Sequence, residues 1–142
     1  MNLVLDVLKP EDVALIRDSA EIALQNPMAV TGEFYRRVFA ARPGLRVLFP
    51  RDIAPQQRKL AQTIGALLEA LDDIAGLEEL LQRLGAAHRI YGAKAAHYPI
   101  VNQALMDALA AAGGIAFTAE HRAAWARLLT FVAQAMLRGA ER

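Results

Sequence analysis

Three histidines and no cysteine set the range of chemistry open to this sequence. Without thiolates there is no disulfide, no thiol nucleophile and no Cys-ligated zinc or iron–sulfur centre, so a bound metal must take imidazole or oxygen donors. His88 has the informative position. Leu77, Leu81, Leu84 and His88 follow one another at intervals of four, three and four residues, which on an α-helix puts them on one stripe. That stripe predicts a core-facing imidazole. A buried imidazole needs a partner for each ring nitrogen, so His88 reads either as a hydrogen-bonded packing residue or as a metal ligand. His97 reads as a helix-start or surface residue and His121 as a solvated residue of a first helical turn; neither stands at a metal-motif spacing from His88 on one helix. The Arg36–Arg37 pair reads as a solvated face. With 16 Lys and Arg against 15 Asp and Glu, and the signs interspersed along the chain, no nucleic-acid partner is expected.

The elements that must position His88 are helices. Ala, Leu, Glu, Gln and Arg dominate nearly every segment, strand signals are almost absent, and the expected class is all-α. Lys9–Pro10–Glu11–Asp12 opens a first helix that runs to about Leu24. Asn26 caps a second, which starts at Pro27 and ends near Ala41. Pro43 and Gly44 stop it, and Leu45, Val47, Leu48 and Phe49 form an apolar knot of one short helical turn. A long helix begins at Pro55 with Leu60, Ile64, Leu67, Leu68 and Leu71 on its buried stripe. A break over Asp72 to Gly76 precedes the His88 helix, which Gly92 ends. A fifth long helix spans His97 to about Ala112 with Leu105 and Leu109 inward. After Gly113–Gly114, Thr118 with Glu120 and His121 starts the last, whose apolar face is Trp125, Leu129, Val132 and Met136. Periodicity alone does not choose among helical architectures. No run of about 18 apolar residues predicts a membrane span, and Asp6 within MNLVLDVLKPEDV, with no basic leader before it, argues against a signal peptide. A cytoplasmic protein is expected.

Four stretches, in order, carry a resemblance: FYRRVFAARPGLRVLF at 34–49, QQRKLA at 56–61, AAH at 86–88 and HYPIV at 97–101. The sequence resembles single-domain bacterial haemoglobins and the globin domain of flavohaemoglobins over nearly its whole length. The resemblance implies a globin fold, one domain over residues 1–142, with haem b (iron protoporphyrin IX) held by His88 as the proximal iron ligand. It makes Tyr35 the distal hydroxyl, Phe49 the aromatic wedged against the porphyrin and Leu60 the apolar wall over the ligand. Gln56 is the distal amide, with Gln57 the fallback if the register slips by one. Tyr98 and Val101 fall on the proximal side. Apolar walls, one neutral imidazole and one or two polar donors suit such a cofactor, and the Tyr35 hydroxyl can donate to bound dioxygen.

The family also couples its histidine to a tyrosine and a glutamate on the last helix. Tyr98 matches the tyrosine, but counting from Trp125 puts Ala140 at the glutamate position. Glu141 lies one residue on, about 100° around the helix, and reaches inward only if the helix frays near Gly139. Ala87 replaces the family's usual lysine, and the Phe49–Gln56 connection is shorter than usual. The function implied is binding of dioxygen, nitric oxide or carbon monoxide. A second class is nitric oxide dioxygenation, with Tyr35, Gln56, Tyr98 and Glu141 as the catalytic set. It requires an external reductase, because flavin and nicotinamide domains have no room in 142 residues and no glycine-rich nucleotide fingerprint occurs. A third is a haem-free helical interaction or sensory module, which an absorption spectrum separates from the others. The near-neutral chain predicts no strong electrostatic steering of a reductase, and monomer and homodimer are both open.

Overall fold

The computed structural model describes residues 8–141 and, among these, contains helices and turns but no strand. Six α-helices follow in order: α1 Pro10–Ala23, α2 Pro27–Ala41, α3 Ala54–Glu69, α4 Ile74–Ile90, α5 His97–Gly113 and α6 Ala119–Ala140. Short 3₁₀ turns at Pro43–Leu48, Ala70–Asp72 and Gly114–Ala116 join them. The start signals act as their chemistry dictates. Asp12 accepts the Lys9 backbone N–H at 3.1 Å, and the Asn26 side chain accepts that of Ala29 at 3.3 Å, each satisfying a donor that a helix start leaves unpaired. The expected break between α3 and α4 is shorter than its composition suggests. Asp73 accepts the Gly76 N–H at 3.1 Å, so the glycine lies inside the first turn of α4. That helix ends where Gly92 adopts φ +100°, a conformation glycine enters without a Cβ penalty.

The core gathers Ile16, Leu77, Leu109, Leu128 and Trp125, each 1% exposed or less. The indole N–H of Trp125 donates to Ser19 Oγ at 2.8 Å, joining α6 to α1. Two further contacts of that pair escaped the sequence. Buried Asp12 accepts from Arg127 at 3.1 and 2.6 Å, which holds its carboxyl below the ordinary range. His121, expected in solvent, is buried. Its Nδ1 accepts the Thr118 N–H at 3.0 Å, so Nε2 carries the hydrogen and donates to Asp18 at 2.9 Å. The first turn of α6 is laid against α1, and a ring there trades water for two defined partners.

The crossing of α4 and α6 brings backbone onto backbone. A Cβ on Gly85 would fall 1.8 Å from the Met136 carbonyl oxygen, and one on Gly139 1.9 Å from that of Gln82. Gly139 is buried and helical, so the fraying that would let Glu141 reach inward does not occur. Arg89 secures the end by donating to the Ala140 carbonyl at 2.9 Å.

Candidate haem site

α4 carries His88 one turn past that glycine contact. The stripe leading to it is core-facing at Leu77 and Leu81, half-buried at Leu84 and exposed at His88. The expected burial of the imidazole is therefore corrected. Beyond the crossing at Gly85 every residue from His88 to Gly92 is exposed. The ring is nevertheless oriented, because Nδ1 lies 2.7 Å from the Leu84 carbonyl oxygen. A carbonyl only accepts, so Nδ1 carries the hydrogen and the Nε2 lone pair is left outward, without a protein partner. This is the tautomer a metal-ligating histidine needs, with the second nitrogen fixing the ring.

On α2 a second group assembles. Tyr35 is buried, 6% exposed, within a set of rings whose centroids lie 4.8 Å away for Phe34, 5.9 Å for Phe39 and 5.5 Å for Phe49. Phe39 stands one turn from Tyr35 on the same helix face, a spacing visible in FYRRVF yet not singled out above. Arg46 fixes the strand of chain carrying Phe49. Its guanidinium sits 5.2 Å from the Phe39 ring centre and donates to the Pro50 and Arg51 carbonyls at 2.7 Å each.

α3 contributes the amide. Gln56, in its first turn, stands near enough to the Tyr35 phenol to oppose the effect of its burial, while the Gln57 amide points to Gly32, 3.8 Å from where its Cβ would stand. Burial pushes the phenol up to about 12, and the Gln56 contact opposes this. Leu60, Leu84, Tyr98, Val101 and Phe49 are half-buried apolar residues packed against the core.

The proximal chain is not assembled. Burial alone raises the Tyr98 hydroxyl, which makes no hydrogen bond to His88. Glu141 is exposed at the C-cap of α6, because the helix stays regular through Ala140 and carries the carboxylate past the site. His97, at the start of α5, accepts the Lys94 backbone N–H at 3.0 Å.

This donor set suits haem. Among the described residues no cluster of three or more His, Asp or Glu could enclose a metal ion. One oriented imidazole beside half-buried apolar side chains matches a metal whose remaining in-plane ligands come from a flat macrocycle. His88 would hold it, with Phe49, Leu60 and Val101 against its faces.

Known proteins agree with the architecture. The globin family model matches residues 32–136. The flavohemoprotein of Bordetella pertussis is 33% identical over 123 residues, which is 84% of this chain and 31% of that protein, so the chain spans about a third of the length of this relative. An engineered carbene transferase, made from a putative nitric oxide dioxygenase of Rhodothermus marinus, superposes with a TM-score of 0.84 at 26% identity, covering 94% of each chain. A bacterial globin from Campylobacter jejuni superposes at 0.75 and 21% identity, covering 94% of this chain and all of that one, a likeness of fold. No helix among the described residues is long and apolar enough to cross a membrane. The chain belongs to the globin family.

Proposed function

We propose that this chain would hold haem b through His88 and bind diatomic gases at its iron, with Tyr35 and Gln56 governing the bound ligand. The observation that carries this reading is the His88 ring, anchored through Nδ1 to Leu84 with Nε2 left free. Bound haem supplies an iron with an open coordination position for dioxygen, nitric oxide or carbon monoxide. The protein supplies the rest. His88 donates its lone pair, the apolar side chains exclude water, and the Tyr35 hydroxyl, oriented by Gln56, presents a hydrogen to developing negative charge in a low-dielectric pocket.

The test is an absorption spectrum of the protein supplied with haem, followed by His88→Ala. Wild type takes up one equivalent with an intense Soret band; the variant loses it or regains it only with added imidazole. An unchanged ferrous spectrum and full retention in the variant would overturn the assignment.

Nitric oxide dioxygenation is the second reading, favoured by the Tyr35–Gln56 contact and by the name of the Rhodothermus marinus relative. In this reading each nitrate formed from nitric oxide and dioxygen would consume one electron, so nitrate formation under air reaches about one equivalent per haem and then follows the supply of a reductant. Mixing the ferrous protein under dioxygen with limiting nitric oxide, and measuring nitrate, decides it. A stable nitrosyl spectrum without nitrate would exclude it.

A further inference from the structure

Seven arginines of this fold close on carboxylates, as Arg17 does on Asp72 and Arg127 on Asp12. Residues 34–51 contain no Asp or Glu, and two arginines of that stretch find other uses. Arg42 lines a cleft between the 3₁₀ turn and the α4–α5 connection, with Leu45, Leu48, Lys94 and His97. Arg46 is taken up by its own chain. One guanidinium nitrogen donates to the Pro50 carbonyl at 2.7 Å and to that of Phe49 at 3.4 Å, and a second donates to the Arg51 carbonyl at 2.7 Å. Three successive carbonyls of a connection outside any helix are thus gathered by one planar fork. The far end of the connection is closed as well. Asp52 accepts the Ala54 N–H at 3.1 Å, and the Ile53 carbonyl accepts that of Gln57 at 3.0 Å, so the path from Phe49 to Gln56 is held at both ends.

The two rings that Arg46 engages are the ones that pack Tyr35. Phe39, beneath the guanidinium at 5.2 Å, stacks on the phenol at 5.9 Å. Phe49, held through its carbonyl, meets the phenol edge-on at 5.5 Å and Phe39 at 5.3 Å. We propose that Arg46 is a positioning residue for the distal side: by holding Phe39 and the Phe49–Arg51 backbone it fixes the Tyr35 hydroxyl, and through the connection into α3 the Gln56 amide, and so sets how long dioxygen stays bound relative to carbon monoxide. A hydrogen bond weakens steeply as it is misdirected, so a phenol free to rock loses its hold on dioxygen. Carbon monoxide carries little charge and gains little from that bond. The action is geometric. Lysine keeps the charge but has neither the fork nor the flat face, so it cannot stand in for Arg46. This inference rests on the haem reading.

The experiment compares the haem-loaded protein with Arg46→Lys and Arg46→Met, each alone and combined with Tyr35→Phe. Dioxygen release is followed by stopped-flow displacement with carbon monoxide, and the distal environment by the infrared stretch of bound carbon monoxide. Both single variants should release dioxygen about 5- to 20-fold faster, part of what loss of the whole hydrogen bond would give, and their carbon monoxide band should broaden or split. With Tyr35 already replaced, the same substitutions should change dioxygen release less than about twofold, because residues that act through one another are not additive. Hydrogen exchange at Phe49 and residues 51–54 should quicken in both variants, and reads the tether whether or not haem is bound. Unchanged dioxygen release or unchanged exchange would overturn the proposal. So would an equal acceleration with and without Tyr35, which marks a merely structural role, or full rescue by lysine, which marks charge rather than the fork. Arg46→Lys carries the test if Arg46→Met does not fold. Failure of the haem reading shows separately, as a missing Soret band in the wild type.

Discussion

Tyr35 combines three properties that only together make it a useful donor: it is buried, it is ringed by Phe34, Phe39 and Phe49, and its phenol lies near the Gln56 amide. With its phenol pushed up to about 12, the hydroxyl keeps its proton throughout the neutral range. Tyr35→Phe should accelerate dioxygen dissociation about 10- to 100-fold, the equivalent of a charge-assisted hydrogen bond of roughly 1.5–3 kcal/mol, and leave carbon monoxide dissociation much less altered; flash photolysis measures both. The raised value also sets an alkaline limit. The contribution of Tyr35 to stability is complete below the ordinary phenol value near pH 10 and is lost as pH rises toward about 12, so the phenylalanine variant should lack that component of alkaline unfolding. Asp12 behaves oppositely. Its carboxyl is lowered, chiefly by the Arg127 hydrogen bond, so its contribution is complete above about pH 4, the ordinary carboxylate value, and fades as pH falls through the lower folded value. Asp12→Asn should therefore melt several degrees below wild type at pH 7, with the difference closing in acid.

Among the elements, α4 matters most because it must hold His88 steady, and it does so by a contact that side chains do not make. Gly85→Ala would drive a Cβ into the Met136 carbonyl. Overpacking against backbone cannot be relieved by a rotamer change, and a loss of about 3 kcal/mol or more is expected in denaturant unfolding, together with weaker haem retention because His88 is one turn away. This glycine pair was not legible in the sequence. Gly85 sits inside a helical stripe and Gly139 near the end of the last helix, and glycine announces flexibility locally and close approach only in three dimensions. The helices themselves were legible wherever a stop or start has its own chemistry, as at Pro10, Asn26–Pro27, Pro43, Gly92 and Thr118. His121 was misread because its second partner, Asp18, lies 103 residues away. At the candidate site, the helix positions of Tyr35, Gln56 and His88 followed from the ordered stretches. The exposure of His88 did not, because the stripe shows which face a residue shares and not where the neighbouring helix ends.

At the scale of the whole molecule, the net charge of +1 conceals an uneven distribution. Seven arginines are matched by carboxylates elsewhere on the fold, whereas Arg42 and Lys94, which line one cleft with Leu45, Leu48 and His97, have no carboxylate partner among the described residues. A face so arranged presents positive charge that the net value does not show. The protein should bind a cation exchanger at pH 8, close to its sequence pI of 8.2, because the resin sees the presented face and not the sum. Arg42→Glu/Lys94→Glu should elute far earlier than its change in net charge implies, and earlier than Arg83→Glu combined with Arg122→Glu, which alters net charge equally. An approaching polyanion is drawn to the same face, so part of the orientational search that slows most protein encounters is completed at a distance.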